Sequence, residues 1–461
     1  MNRYLLRSAI VAALGGLLFG FDTAVIAGTT RALAEIFQLS DVMLGITVSS
    51  ALWGTVLGSL VAAAPSDRYG RKASLQALAV LYVLTAVGCA MAWDWYSFLF
   101  FRFLGGLAIG GSSVIGPMYI AEIAPAAKRG RLVGMFQFNI VAGILVAYFS
   151  NYVIGTIGFG AAEWRWKLGI AALPAVLFYF ALHGIPQSPR WLVRRGQNDE
   201  AREILARIGE PEPDREVRDI ERSMQAEDQS ASESLFQFRW PWQRPFFFHR
   251  YLLVFVSVPK YRFHMLLAIL IGVFNQFSGI NAILYYANDI FEKAGFSKES
   301  SDLQTVAIGF SNLIFTMVAM SVIDRLGRKK LLLIGAAGTA VCLAGVAAIF
   351  ISGTGENLLV WLLVGFIGFF AFSQGAVIWV YLSEVFPNLV RAKGQSLGSF
   401  THWIMNAIIS AVFPTLAAMS RPAPFVIFAA ITVVQFFVVL LVFPETARIT
   451  LEDMQKKMEN K

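Results

Sequence analysis

Two ionisable side chains interrupt stretches of the chain that are otherwise apolar. Asp22 ends a run of small and apolar residues, and Arg102 lies near the start of a later run of the same kind. An ionisable side chain inside a membrane is costly, so it is usually paired and marks a functional site. Burial raises the pKa of a carboxyl group and a nearby guanidinium lowers it, so a movement that changes either influence can load or release a proton. The two side chains could carry a proton in this way, or they could form a permanent structural ion pair.

A second group of side chains suits a ligand that presents many hydroxyl groups. Asn275, Gln276, Asn281 and Tyr285 lie within one short segment, which combines amides that donate and accept with an aromatic ring. On an unbroken helix, Gln276 and Asn281 would point about 140° apart and could hardly hold one small ligand. A helix break at Gly279 would bring them together, and such breaks are typical of ligand sites inside membranes.

The elements that position these side chains are predicted to be membrane-spanning helices. The chain has 461 residues, of which 57% are hydrophobic and only 15% charged, unlike a soluble globular protein. A helix needs about 20 mostly apolar residues to cross a bilayer, and roughly twelve such stretches can be placed along the chain. Their predicted starts lie near Ser8, Met43, Ala73, Tyr96, Arg131, Lys167, Phe263, Asp302, Leu331, Asn357, Gly394 and Phe425. The first stretch is expected to be retained, because Asp22 interrupts it and no convincing cleavage site follows.

A polar segment at residues 187–261 separates six predicted spans from the other six. Helical patterning within it covers Asn198–Ile208 and residues 215–226. We therefore expect an all-α membrane protein with an amino-terminal bundle at residues 1–186 and a carboxy-terminal bundle at 263–443. Residues 187–262 would form a linker with short helices on the cytoplasmic side, and residues 444–461 a cytoplasmic tail.

The formal net charge of +8 reflects membrane orientation rather than binding to nucleic acid. Most Lys and Arg residues lie in the termini, in every second loop and in the central segment, as expected of cytoplasmic parts of a membrane protein. The alternate loops carry few basic residues, namely Arg31, Arg165, Lys167, Lys293, Lys298 and Arg421. Both termini are therefore predicted to be cytoplasmic. Cys89 and Cys342 lie in apolar stretches, so we expect no disulfide.

Two short motifs recur at matching places in the two predicted bundles. The sequence Asp-Arg-Tyr-Gly-Arg-Lys at 67–72 follows the second span, and Asp-Arg-Leu-Gly-Arg-Lys at 324–329 follows the eighth. Glu122 and Arg129 after the fourth span match Glu384 and Arg391 after the tenth. Basic turns that merely anchor spans would explain the Lys and Arg residues but not the repeated acids and glycines. The repeat indicates duplicated halves.

Together these features resemble the sugar porter family of the major facilitator superfamily over essentially the whole chain. Further signatures are Gly-Gly-Leu-Leu-Phe-Gly-Phe-Asp at 15–22, Arg-Phe-Leu-Gly-Gly at 102–106, Pro-Gln-Ser-Pro-Arg at 186–190, Gln-Phe-Ser-Gly-Ile-Asn at 276–281 and Pro-Glu-Thr at 444–446. The resemblance extends to bacterial proton-coupled monosaccharide symporters and to facilitative glucose transporters. It implies alternating access, in which two halves rock about a central sugar site.

The resemblance also implies roles for individual residues. Asp22 and Arg102 match motif positions that couple protons to sugar in the bacterial symporters. Besides Asn275, Gln276, Asn281 and Tyr285, the implied sugar contacts are Phe19, Gln137, Asn312, Trp379, His402 and Trp403. Ile144, Ala376 and His402 depart from the family pattern, so xylose, glucose, galactose, fucose or a polyol remain open as substrates. His402 is expected to form neutral hydrogen bonds, with a second titratable role as the alternative.

The repeated loops are expected to form a cytoplasmic charge network that closes when the sugar site faces outward. Its implied members are Asp67, Arg68, Arg71, Glu122 and Arg129 in the first half and Asp324, Arg325, Arg328, Glu384 and Arg391 in the second. Single surface ion pairs are weak, but several together can bias a two-state equilibrium. Gln187, Ala447 and Arg448 depart from the family pattern, which predicts a weaker network than in relatives.

The expected function is therefore import of a monosaccharide with a proton across the plasma membrane, in bacteria the inner membrane. The alternatives are a proton-independent facilitator, a polyol transporter, a transporter-like sugar sensor, which the short carboxy-terminal tail disfavours, and a drug or anion transporter, which the span-seven amides disfavour. No nucleophile with a base, phosphate loop or metal-ligand cluster is recognisable, so we expect neither an enzyme nor a cofactor or metal. The expected partners are the sugar, the proton and the lipid bilayer, and the chain is expected to be a monomer.

Overall fold

The computed structural model describes residues 2–125, 128–222, 224, 261–386 and 391–447, without the side chains of Asp324 and residues 391–393. Within this part of the chain, twelve helices are long and apolar enough to cross a membrane. They are α1 (Arg3–Val25), α2 (Asp41–Val61), α3 (Arg71–Ala90), α4 (Trp95–Ile123), α5 (Arg129–Ile157), α6 (Glu163–Gly169 with Ala172–His183), α7 (Arg262–Phe277 with Ile280–Tyr285), α8 (Lys298–Leu326), α9 (Arg328–Ser352), α10 (Glu356–Phe370 with Ala376–Glu384), α11 (Arg391–Met419) and α12 (Ala423–Leu441). Each span begins within a few residues of its predicted start, so the prediction of twelve spans is confirmed.

Polar residues set where several of the spans begin. The Asn2 side chain accepts hydrogen bonds from the first backbone N–H groups of α1, and Ser40 does the same for α2. Asp94 and Ser97 form a reciprocal capping box at the start of α4. These caps satisfy amide groups that have no partner within the helix, so each apolar run begins as a helix where the polar residue stands.

The connections divide the molecule into two faces. The motif face carries the start of α1, the loops around residues 67–72 and 324–329, and the short helix Ala63–Tyr69. The opposite face carries the short helices Thr30–Ile36 and Ala287–Lys293. The spans alternate in direction. The described connections that follow even-numbered spans therefore lie on the motif face, and those that follow odd-numbered spans lie on the opposite face.

The helices that follow the sixth span pack against the first half. Pro189–Arg194 and Asn198–Ile208 are helical, which confirms the prediction for the second of them, and residues 213–222 form a further helix. Leu192, Ile204 and Ile220 join the same hydrophobic cluster as the motif-face ends of α1 and α4. The rest of the predicted linker, residue 223 and residues 225–260, lies outside the described part of the chain.

Among the described residues, the hydrophobic core is shared between the halves toward the opposite face and not toward the motif face. One cluster there contains residues of both halves, such as Val25 and Leu52 of the first and Ile283 and Phe291 of the second. Toward the motif face each half has a cluster of its own. The halves are therefore joined by apolar packing at the opposite face, and this closes the route between them on that side.

Small residues allow the closest helix contacts within a half. A Cβ atom at Gly106 of α4 would lie 1.9 Å from the carbonyl oxygen of Ala51 in α2, so only glycine fits there. Helix packing in membranes depends on such close approaches, because lipid tails are as apolar as the helices themselves.

The seventh span is broken where the sequence predicts it. Gly279 has φ +82°, between the helical segments Arg262–Phe277 and Ile280–Tyr285. This left-handed conformation favours glycine, and an added Cβ would lie 2.3 Å from the ring of Phe428. Span ten is also irregular, because Ala371–Gly375 forms a π-turn.

We expect Gly106→Ala to destabilise the protein, because its methyl group would overlap the Ala51 carbonyl. Overpacking of this kind costs about 1–3 kcal/mol. The measurement is the thermal unfolding midpoint of the purified protein in detergent. Gly130→Ala is the matched control, since a Cβ there meets nothing within 4 Å. Equal midpoints for the two variants would contradict the close α2–α4 contact.

We expect Gly279→Ala to lower the same midpoint through both backbone strain and a clash with Phe428. The left-handed conformation alone costs a residue with a Cβ roughly 1–2 kcal/mol. Gly353→Ala isolates that contribution, because Gly353 has φ +63° and open space around its Cβ position. A Gly279→Ala protein no less stable than Gly353→Ala would show that the break tolerates a side chain.

Candidate functional site

A small central cavity lies between the two halves. Phe19, Thr23 and Arg102 of the first half line it together with Tyr285 and Trp403 of the second. Its walls come from α1, α2, α4, α7 and α11. Any movement of one half against the other therefore changes the shape of the cavity.

The predicted charge pair is formed beside this cavity. Arg102 Nη1 lies 3.2 Å from Asp22 Oδ2 and 3.4 Å from the Asp22 carbonyl oxygen. The side chains are 3% and 16% exposed, respectively, so both are removed from lipid and water. Among the described residues, Arg102 Nε has no hydrogen-bond partner. Such a buried pair is stable only while both members stay charged, so loss of either charge leaves the other uncompensated.

Gln276 connects the polar groups of the broken span. Its amide nitrogen lies 2.9 Å from Asn275 Oδ1 and 3.2 Å from both ring nitrogens of His402. Its amide oxygen accepts from Asn281 Nδ2 at 2.9 Å. The turn at Gly279 makes this last contact possible, because the two side chains would point apart on a regular helix. Asn275 also donates to the Gln374 carbonyl oxygen at 3.4 Å, which ties α7 to α10.

Aromatic rings extend the polar cluster toward the first half. The Trp379 ring centroid lies 5.2 Å from that of His402, and Trp403 packs edge-on against His402 at 5.1 Å. Phe19 of the first half then contacts Trp403 at 5.5 Å. These rings provide flat apolar surfaces next to the amides, a combination that suits a ligand with both C–H faces and hydroxyl groups.

Two predicted contacts stand apart from this cluster. Gln137 is half-buried on α5 and Asn312 is buried on α8. Neither amide side chain forms a hydrogen bond with another residue of the described chain. Their hydrogen-bonding capacity is thus unused, whereas Gln276 already bonds to three side chains.

Sequence reasoning missed three polar residues of this region. Asn406 donates to the Tyr285 hydroxyl at 3.2 Å and fixes that ring against α11. Both amide atoms of Gln374, in the π-turn, are buried without a partner in the described chain. Thr23 lines the cavity one residue after Asp22. Asn406 and Gln374 could have been found from the sequence, because an amide inside an apolar span is costly to bury without a hydrogen-bond partner.

The motif-face charges of the first half form a connected group. Arg71 contacts Glu122 at 2.9 Å and Asp67 at 2.9 Å, and Glu122 also accepts from the Ser188 hydroxyl. The Gln187 amide oxygen accepts from the Lys72 backbone N–H at 3.1 Å. Among the other predicted members, Arg129 donates to the Ala121 carbonyl oxygen, and Arg68 lies over the Tyr69 ring.

The second half repeats this arrangement. Arg328 contacts Glu384 at 2.7 Å, and Glu384 accepts from the Thr446 hydroxyl at 2.6 Å. Glu445 accepts from the Lys329 backbone N–H at 3.1 Å, as Gln187 does from the equivalent Lys72 in the first half. Arg325 is exposed. The predicted members Asp324 and Arg391 have side chains outside the described part, as does Arg448. The ion pairs described on this face thus join residues within one half.

Comparisons with known proteins agree with this architecture. The family described as "Sugar (and other) transporter" matches residues 8–458. The arabinose-proton symporter of Bacillus subtilis is 34% identical, with 98% of this chain and 95% of that protein covered. The D-xylose-proton symporter of Escherichia coli strain K12 is 32% identical, with coverages of 99% and 96%. The inward open structure of the E. coli xylose transporter XylE superposes with a TM-score of 0.84 at 31% identity, covering 98% of this chain and all of that one, 100%. The chain is therefore a multi-pass membrane protein with the two-bundle major facilitator fold, and it belongs to the sugar transporter family.

Proposed function

We propose that this protein imports a monosaccharide together with a proton by alternating access. The observation that carries the proposal is the buried Asp22–Arg102 pair beside a cavity whose walls come from both halves. Two relatives that match nearly the whole chain are named as proton symporters of arabinose and xylose. Coupling requires a titratable group whose surroundings change during transport, and we assign that role to Asp22 because it lies beside the cavity.

Asp22 is the proposed proton carrier and Arg102 its counter-charge. When Asp22 is ionised, its contact with Arg102, 3.2 Å from Oδ2 to Nη1, connects α1 to α4. A proton on the carboxylate would remove that attraction and free Arg102, so α1 could move relative to α4. Because α1 also carries Phe19 and Thr23, that movement would alter the walls of the cavity. Proton binding and sugar binding then bias the same conformational equilibrium, which is thermodynamic coupling.

The proposed sugar site combines the amides of α7 with the ring surfaces around it. Gln276, Asn281 and Asn275 would bind ring hydroxyls, with Asn312 and Gln137 adding contacts from α8 and α5. Phe19, Trp379, Trp403 and Tyr285 would cover the C–H faces of the sugar. His402 would act as a neutral acceptor, because the Gln276 amide nitrogen already lies within 3.2 Å of its ring nitrogens.

We place the motif face in the cytoplasm, since most Lys and Arg residues belong to that face. Both termini would then be cytoplasmic, in the plasma membrane of a cell and in bacteria the inner membrane. Closure of the core at the opposite face corresponds to a site that faces inward. The Arg71–Glu122 and Arg328–Glu384 pairs would connect across the halves when the motif face closes. A monomer suffices, because each half supplies walls of one cavity.

Uptake into proteoliposomes tests this proposal directly. Labelled arabinose, xylose, glucose, galactose, fucose and a polyol are offered with and without an imposed pH gradient. We expect at least one sugar to accumulate above its external concentration only when the gradient is present. Sugar uptake that only equilibrates, with or without a protonophore, would establish a facilitator instead. Uptake of none of these compounds would remove the sugar assignment.

We expect Asp22→Asn to abolish uphill accumulation and sugar-driven alkalinisation while leaving some counterflow exchange. The amide keeps the size of the side chain but cannot carry the proton. Both activities are measured in the same proteoliposomes, with Glu35→Gln as control, because that carboxylate is 66% exposed at the opposite face. Undiminished accumulation by Asp22→Asn would exclude Asp22 as the carrier.

We expect Gln276→Leu to raise the KM for sugar at least tenfold, since it removes bonds to the ligand and to Asn281 and His402 together. Tenfold corresponds to about 1.4 kcal/mol, within the range of one or two hydrogen bonds. Gln435→Leu is the matched control, because Gln435 is equally buried but lies on α12, outside the hydrogen-bonded group of Gln276, Asn281 and His402. The same KM for both variants would refute the contact with Gln276.

A further inference from the structure

Four charged side chains form a continuous chain between the halves at the opposite face. Lys298 Nζ of α8 lies 2.7 Å from Glu163 Oε2 of α6. Glu163 Oε1 lies 2.8 Å from Lys167 Nζ, and Lys167 Nζ lies 3.6 Å from Asp302 Oδ2 of α8. The signs alternate along this α6–α8 charge chain and sum to zero. It crosses from one half to the other twice, and it was not foreseen from the sequence.

The middle of the α6–α8 charge chain is removed from solvent. The Lys167 side chain is 1% exposed and the Asp302 side chain 3%. A buried charge is tolerated only when it is paired and hydrogen-bonded, and both are. Lys167 also donates to the Gly28 carbonyl oxygen at 3.1 Å, and Asn288 donates to Asp302. Removing one member would therefore leave a buried charge without compensation.

The surrounding helices leave space for these contacts. Gly155 of α5 lies beside the chain, and a Cβ there would be 2.8 Å from Asp302 Oδ2 and 3.7 Å from Lys167 Nζ. An alanine at this position is compatible with a helix but would displace the Asp302 carboxylate. The contact between Lys167 and Asp302 thus depends on a missing side chain in a third helix.

A second ion pair across the halves has a more exposed basic member. Arg31 of the first half contacts Glu292 of the second at 2.9 Å, and its side chain is 65% exposed. The Arg31 charge is well solvated whether paired or not, so we expect this pair to contribute less than the buried contacts, although Glu292 is only 16% exposed. The two cross-half contacts on one face therefore separate the effect of burial from that of ion pairing.

We propose that the α6–α8 charge chain is an ionic gate that holds the opposite face closed. Opening that face must separate Lys298 from Glu163 and Lys167 from Asp302, because each contact joins different halves. After separation, Lys167 keeps Glu163 within the first half, and Asp302 keeps Asn288 within the second. Each half thus retains a partner for its buried charge, so the gate can open and close reversibly. The gate acts without ligand and is independent of which solute the protein carries.

The test measures opening in the purified, ligand-free protein in nanodiscs. Spin labels are attached through Trp93→Cys and Leu358→Cys, two exposed positions of different halves on the opposite face, in a Cys89→Ala/Cys342→Ala background. Pulsed electron paramagnetic resonance then gives the distribution of distances between the two spin labels. We expect the parent protein to show mainly the short distance of the closed face.

Lys167→Met should shift the distribution toward long distances, with the ratio of open to closed protein rising at least tenfold. Asp302 then lacks its cation in the closed state but gains water in the open one. Gly155→Ala should shift the ratio in the same direction but by less. This variant removes no charge, so it provides the test if Lys167→Met does not fold. Arg31→Met should leave the distribution as in the parent.

The double variant Lys167→Met/Asp302→Leu separates charge from packing. It removes the unpaired carboxylate and leaves Glu163 with Lys298, so the closed population should recover toward that of the parent. The proposal is overturned if Lys167→Met and Gly155→Ala both keep the parental distribution, or if Arg31→Met opens the face to the same extent as Lys167→Met.

Discussion

A charge taken out of water must keep a partner of opposite sign, and this constraint governs the interior of the protein. Arg102 is 3% exposed and lies against Asp22, while Lys167 is 1% exposed and lies between Glu163 and Asp302. In each place an unpaired charge would cost about 3–5 kcal/mol. The helices can therefore move only in ways that exchange one partner for another, or that neutralise one member of a pair.

This constraint distinguishes the levels of the molecule. At the cavity, the Asp22–Arg102 pair lies within the first half, so relative motion of the halves does not by itself break it. At the motif face, Arg71–Glu122 and Arg328–Glu384 also lie within a half. At the opposite face, the Lys298–Glu163 contact joins the halves, in company with the shared hydrophobic cluster. An ion pair within one half thus stabilises that bundle, whereas an ion pair between the halves stabilises the conformation in which the opposite face is closed.

The duplicated halves use equivalent atoms even where residues differ. Gln187 accepts from the Lys72 backbone N–H, and Glu445 accepts from the backbone N–H of the equivalent Lys329 in the other half. An amide oxygen replaces a carboxylate oxygen here without loss of the hydrogen bond, but it brings no charge. The first half therefore has one negative charge fewer at this position, which is a physical basis for the weaker network predicted from the sequence.

The sequence alone determined the spans, the repeat and the polar break at Gly279, because hydropathy, motif spacing and the freedom of glycine are local properties. It also indicated the partnership of Asp22 and Arg102, since a membrane charge requires a counter-charge. The bonds from Gln276 to His402 and the contacts of the α6–α8 charge chain were decided only by the tertiary structure. These contacts join residues far apart in the sequence. The first depends on how helices pack within one bundle and the second on how the two bundles lie against each other, and no local pattern records either.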